Sequence, residues 1–191
     1  MFSELGYDAA TFQEIALRSD LTRPAINHYF PSKRALYRHV VEQTNIMLID
    51  AGIAEARLKD TFADRIEAFI TAALVGDDRD RSAAAFLMTS VQESQRHPDL
   101  SSDEHDTLNA TRGFVSWALR EAEAAGELLP AVDVDAVTET LLAILLGLGF
   151  YAGFVGQQTA LVAVTAEFLR LLRGEVFVRS AELPALPSSR R

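Results

Sequence analysis

Within a dozen residues the chain places side chains that can read and hold a nucleic acid. Arg23 carries a guanidinium that can pair bidentately with guanine, and Asn27 an amide that can do the same with adenine. Thr22, Ala25 and His28 share their stretch, and Lys33 follows as a compact cation suited to a phosphate. From Leu21 to Val41 the chain carries Arg23, Lys33, Arg34 and Arg38 and no acid, although its net charge is −9. Phosphate attraction is set by charge within about 8 Å at physiological salt, so a basic stripe can act on an acidic body. No other chemistry presents itself. There are no cysteines, which removes disulfides, thiolate metal sites and thiol nucleophiles. His39, His97 and His105 share no metal spacing, so no metal or cofactor is expected. No phosphate loop, nucleophile elbow or paired catalytic carboxylate occurs, which argues against an enzyme.

Such side chains need rigid elements beneath them. Thr11-Phe12-Gln13-Glu14 is a capping box and opens a short helix that turns Phe12, Ile15 and Ala16 inward. A tight turn at Asp20-Leu21 follows. Thr22 caps a second short helix, with Pro24 in its first turn and Ile26 and Phe30 on its buried side. Pro31 stops that helix, and Ser32 caps a basic one running past Ile49. Two short helices across a tight turn lay the second in a major groove. Thr22, Arg23, Ala25, Asn27 and His28 are left to face outward.

The remainder reads as helical almost throughout. Phe62, Ile66, Phe69, Ile70, Ala73 and Leu74 form an amphipathic stripe. Gly76 to Asp80 reads as a loop, and a helix from about Ala84 to Arg96 ends before Pro98. Ser101 to Glu104 is a capping box for a helix reaching about Ala125. Asp133 caps a long apolar helix to about Val155, and a last helix runs from about Thr159 to Arg173, before Gly174. Val176-Phe177-Val178 is too short to count as a strand. The expectation is an all-α chain with about nine helices, in three parts: residues 1–45, 46–180 and a disordered tail, 181–191. Thr140 to Ala166 carries no charge and is long enough to span a bilayer, but its glycines and Gln157-Gln158 favour a buried helix pair, with no membrane partner. No secretory signal is visible at the N-terminus, in keeping with a cytoplasmic protein.

Gly6-Tyr7, Thr11, Ile15-Ala16, Leu21-Thr22, Ile26 to Lys33 and Leu36 together resemble the signature of the TetR family of transcriptional regulators. Ala125-Gly126-Glu127-Leu128 before Asp133 is similar to the C-terminal half of many members. The resemblance implies an N-terminal helix-turn-helix and a helical ligand-binding and dimerisation domain. It also implies a homodimer, formed through the last two helices, on a pseudo-palindromic double-stranded operator. Carried over by position, Thr11, Thr22, Arg23, Pro24, Ala25, Asn27, His28, Tyr29 and Lys33 form the DNA-binding set. Three departures stand out: Asp20 where Gly is usual, Asn27 where Tyr is common, and a short first helix. The last motivates an alternative, a dimeric helical small-molecule-binding protein that has lost DNA binding. Phe86, Gln92, Phe114, Trp117, Phe150, Tyr151 and Phe154 are candidates to line a pocket for a small hydrophobic or aromatic effector. The glycines from Gly147 to Gly156 permit close helix contact, at a dimer seam or against a ligand.

Overall fold

The computed structural model describes residues 1–75, 78–100 and 106–177, all helix, turn and loop with no strand among them. The first four helices are α1 (Phe2–Ala9), α2 (Phe12–Arg18), α3 (Arg23–Tyr29) and α4 (Lys33–Asn45). A π-helical turn at Ile46–Asp50 carries α4 directly into α5 (Ala51–Ala56). The body continues with α6 (Phe62–Leu74), α7 (Asp78–Arg96), a 3₁₀ turn at Pro98–Leu100, and α8 (Thr107–Ala124). It closes with α9 (Val134–Phe150), a second π-helical turn at Tyr151–Val155, and α10 (Gln158–Leu172).

Polar caps set most of the starts. The hydroxyls of Thr11, Thr22, Ser32 and Thr61 each accept a backbone N–H three residues on, as does the Asp133 carboxylate. Asp20 takes the left-handed backbone the tight turn requires, at φ 53°. Two expectations change. Residues 78–80 belong to α7 rather than to a loop, while Gly76 and Asp77 lie outside the described residues. The box at Ser101–Glu104 also lies outside them, as do His105, Val178 and the tail, 181–191. The cap of α8 is Asp106, whose Oδ1 accepts from Leu108 N–H at 3.0 Å. The division at residue 45 falls inside an unbroken helix, and Asn45 is buried against α8, accepting from Thr107 Oγ1 at 2.9 Å.

Apolar periodicity sorts the helices around two main cores and a small third cluster of Ala84, Ala152 and Leu161, where α7, the second π turn and α10 meet. The head core joins Phe2, Ala16, Ile26, Leu36 and Tyr37 to Phe86, which reaches in from α7. Leu21 does not join it and is 49 % exposed, so Ala16 and Ile26 set the angle between α2 and α3. The body core holds Ile66, Phe69 and Ile70 of α6, Leu87 of α7, Phe114 to Leu119 of α8 and Leu141 to Leu148 of α9. Burying one such side chain contributes about 1.5–3 kcal/mol. Val134–Val155 is the one stretch among the described residues long and apolar enough to cross a membrane. Here Leu141, Leu145 and Leu148 are packed into the body core, and Leu142 is buried as well.

The glycines of α9 and its π turn divide between three surroundings. A Cβ on Gly149 would meet the Met88 thioether at 3.1 Å, facing α7 and the interior. One on Gly153 would meet the Ala85 backbone at 2.6 Å. One on Gly147 would meet nothing within 4 Å, on the outer face.

Candidate nucleic-acid interface and internal cavity

The exposed side of α3 is built by what it buries. Ile26 is 4 % exposed and anchors the helix, which leaves Thr22, Arg23, Pro24, Asn27, His28 and Tyr29 in solvent and Ala25 at the margin. The Thr22 hydroxyl accepts from Ala25 N–H at 3.3 Å, and its own hydrogen stays available to a phosphate. Thr11 is exposed in the same way while accepting from Glu14 N–H at 3.2 Å. Among the described residues Arg23 has no ion-pair partner and Asn27 no side-chain hydrogen bond. The rings of His28 and Tyr29 meet edge to face at 5.3 Å at the end of the helix.

The cations after α3 are placed differently from a free basic stripe. Lys33 is half-buried: its Nζ donates to the carbonyls of Tyr7 at 2.8 Å and Asp8 at 3.2 Å, and stands 4.3 Å over the Tyr7 ring. Two of its three donors are thus spent on α1. Arg34 pairs with Asp99 at 3.2 Å, and Arg38 donates to the carbonyls of Asp99 and Leu100. Both arginines reach the turn after α7. The reason is reach: α4 runs beside that turn. Arg18, at the end of α2, is held by Glu4 at 2.6 Å, and this pairing draws the Glu4 carboxyl below its ordinary range.

The residues expected to line one pocket do not converge. Phe86 lies in the head core, 5.7 Å from the Tyr37 ring, and Gln92 is exposed. Phe114 stacks on Phe69 at 4.2 Å inside the body core. Trp117 lies beneath the guanidinium groups of Arg57 and Arg65. Phe150 and Phe154 are exposed and contact each other at 5.1 Å, with Tyr151 beside them against Gly156. The cause is helical phase. On α7 positions 86 and 93 face the head, whereas 84, 87 and 88 face the body.

A cavity of about 30 Å³ lies where that second face meets α6, α8 and α9. Leu48, Phe69, Leu87, Met88, Thr111, Leu145 and Gly149 are among its walls, and among the described residues no ionisable side chain contributes. Both hydroxyls near it are spent: Thr107 Oγ1 on Asn45, and Thr111 Oγ1 on the Thr107 carbonyl at 2.8 Å. Sequence reasoning looked for aromatics and missed this lining. The available signal was small and flexible residues at i, i+4 spacing, Ala84 with Met88 and Leu145 with Gly149. A shallower apolar groove of about 580 Å³ runs between α9 and α10, past Ile144, Gly147, Tyr151, Val164, Phe168 and Leu171. Among the described residues no cluster of His, Asp and Glu could hold a metal ion.

Comparison with known proteins adds to this geometry. Residues 1–40 match the family model of bacterial regulatory proteins of the tetR family. Residues 62–174 match that of the C-terminal part of BetI-type transcriptional repressors. No match is found among curated proteins. Among solved structures the chain is similar to the TetR family transcriptional regulator PfmR of Thermus thermophilus, at 21 % identity and a TM-score of 0.68, over 88 % of this chain and 92 % of that one. It is also similar to a TetR-family regulator from a Rhodococcus species, at 14 % identity and a TM-score of 0.68, over 92 % of each chain. A third likeness is to a protein solved for the molecular basis of control of antibiotic production by a bacterial hormone, at 23 % identity and a TM-score of 0.66, over 91 % of this chain and 90 % of that one. These likenesses carry the fold.

Proposed function

The chain belongs to the TetR family of transcriptional regulators, non-enzymatic DNA-binding proteins, and from that premise we propose that it is a ligand-responsive, cytoplasmic repressor reading a pseudo-palindromic operator as a homodimer. The observation that carries the reading is the outward face of α3. Its polar side chains are exposed while Ile26 fixes the helix from behind. Arg23 pairs with a guanine and Asn27 with an adenine, and Ala25 and His28 lie against neighbouring bases. Thr11, Thr22, Pro24, Tyr29 and the remaining donor of Lys33 serve the phosphate backbone and position the head. The match of the body to BetI-type repressors favours repression over activation.

The effector's place is the cavity between α6, α7, α8 and α9, which at about 30 Å³ is water-sized and must open to admit it. Its lining is apolar and its hydroxyls are occupied, so it suits an uncharged hydrophobic or aromatic molecule; a charged one would be left unpaired. Met88 is the wall best able to give way, being unbranched and flexible. Partner subunits meet through α9 and α10.

The test is fluorescence anisotropy on DNA flanking the gene, over a range of salt. Affinity should fall steeply as salt rises, as counterions are released from contacted phosphates. A chain that dimerises but shows no salt-sensitive affinity would be the small-molecule-binding protein instead.

A further inference from the structure

The joint between head and body holds a group of ionisable side chains that DNA reading does not use. Gly6 breaks α1 at φ 76°, a left-handed conformation open to glycine, and this aims the Tyr7 N–H at the body. The acceptor is Glu93 Oε1 of α7, at 3.2 Å. Glu93 is 6 % exposed, and its other oxygen is buried with no hydrogen-bond partner. The Nε2 of His97 lies 3.8 Å from that oxygen and 3.2 Å from Asp8 Oδ2. One imidazole therefore stands between a carboxylate of the head and a carboxylate of the body. We propose that His97 is a proton-operated latch, whose charge sets how firmly the Gly6–Asp8 segment is held on α7.

The electrostatics give the direction. A neutral imidazole can bond Asp8 but leaves Glu93 uncompensated. An imidazolium attracts both carboxylates at once. His97 also closes the end of α7, donating its backbone N–H to the Glu93 carbonyl at 2.8 Å, where the helix dipole favours a cation. The other elements packed there contribute as follows. From α1 come Asp8 and the Tyr7 ring, 5.8 Å from the imidazole. From α4 come Lys33, Arg34, Arg38 and Tyr37, and from the turn after α7, Asp99. The α4 cations oppose protonation: the charge of Arg34 is offset by Asp99, while Lys33, bonded to neutral carbonyls, keeps its charge against the two carboxylates that favour it. Tyr37 stays neutral, since burial pushes its phenol far up and Glu93 pushes it further. Imidazole as a chemical class changes charge between about pH 5 and pH 8. The segment is held more firmly at the acidic end of that window.

The reporter is the Tyr7 amide, whose proton is the one Glu93 accepts. Hydrogen exchange of the full chain, followed by NMR and corrected for the intrinsic rate, gives its protection at about pH 5.5 and pH 8. Protection is expected to be about fivefold greater at the lower pH, the upper range for a partly exposed ion pair. The ratio should collapse toward one in His97→Gln, and fall in Asp8→Asn. The Val115 amide, in the body core, should show no such ratio and controls for global opening. A wild-type ratio of one overturns the latch. So does a full ratio retained in His97→Gln.

Discussion

Arg23 and Lys33 carry opposite expectations. Arg23 is exposed on α3 with no described ion-pair partner, so Arg23→Ala should relax preference at one base of each half-site, by about 1–3 kcal/mol. Lys33→Ala should weaken binding on every sequence and lower the salt slope by about 1 per head. Anisotropy on a panel of single-base operator variants, repeated across salt, separates the two; equal loss on every sequence for both variants would contradict the roles. Gly6 provides a stability test. Its φ of 76° is strained for any L side chain, and a Cβ there would sit 3.1 Å from Glu93 Oε1. Gly6→Ala should destabilise by more than about 1 kcal/mol, read as a lower urea midpoint at unchanged slope. The exposure of Arg23 and Asn27 was legible in the sequence, because one buried neighbour, Ile26, fixes the phase of a short helix. The tie from Lys33 to Tyr7 was not. It depends on a backbone break at Gly6 and joins residues 26 apart.

At the scale of the element, the helix starts were legible where a cap is local. Thr11, Thr22, Ser32 and Asp133 each bond an amide three residues on, so a few letters hold the whole cause. The cavity was not legible, since it exists only where α6, α7, α8 and α9 meet, and aromatic content says nothing about helical phase. The glycines of α9 show the same limit: composition marked them as close-contact sites, but only packing assigns each to a neighbour. Gly153→Ala would drive a Cβ into the Ala85 backbone at 2.6 Å, and should cost about 1–3 kcal/mol as overpacking. A second prediction concerns pH. Arg112 joins α8 to α9 by bonding Glu139 at 2.6 Å, and this holds the Glu139 carboxyl below its ordinary 4.5. A carboxyl depressed in the folded state stabilises above its unfolded value and loses that contribution as pH falls through the folded one. Glu139→Gln should therefore lower stability slightly at neutral pH, and the difference from wild type should vanish in acid. Urea titrations at the two ends of that range read it directly.

At the scale of the molecule, α9 and α10 leave an apolar face that one subunit does not cover. Phe150 is 48 % exposed, Phe154 44 %, Val164 38 % and Leu171 49 %. On α9 and the π turn that continues it, Gly147, Phe150 and Phe154 are exposed in turn, and Gly147 leaves room there for a close neighbour. Water exacts a free-energy cost for such a surface that a second copy would relieve, and a two-fold axis would set each patch against its equivalent. Sedimentation should find the wild-type chain dimeric at micromolar concentration. Phe154→Asp should shift it to monomer, since pairing would bury two unpaired carboxylates. The same variant should lose operator affinity while keeping the Tyr7 amide protected, because the proposed seam is on α9 and α10 and the head is held by α7. Gly147→Ala sharpens the reading. In the isolated subunit nothing meets the added methyl, and a mid-helix Gly→Ala change stabilises by about 0.5–1 kcal/mol. A loss of dimer affinity from a substitution harmless to the fold would place Gly147 at the seam. A stable wild-type monomer would remove α9 and α10 as an interface.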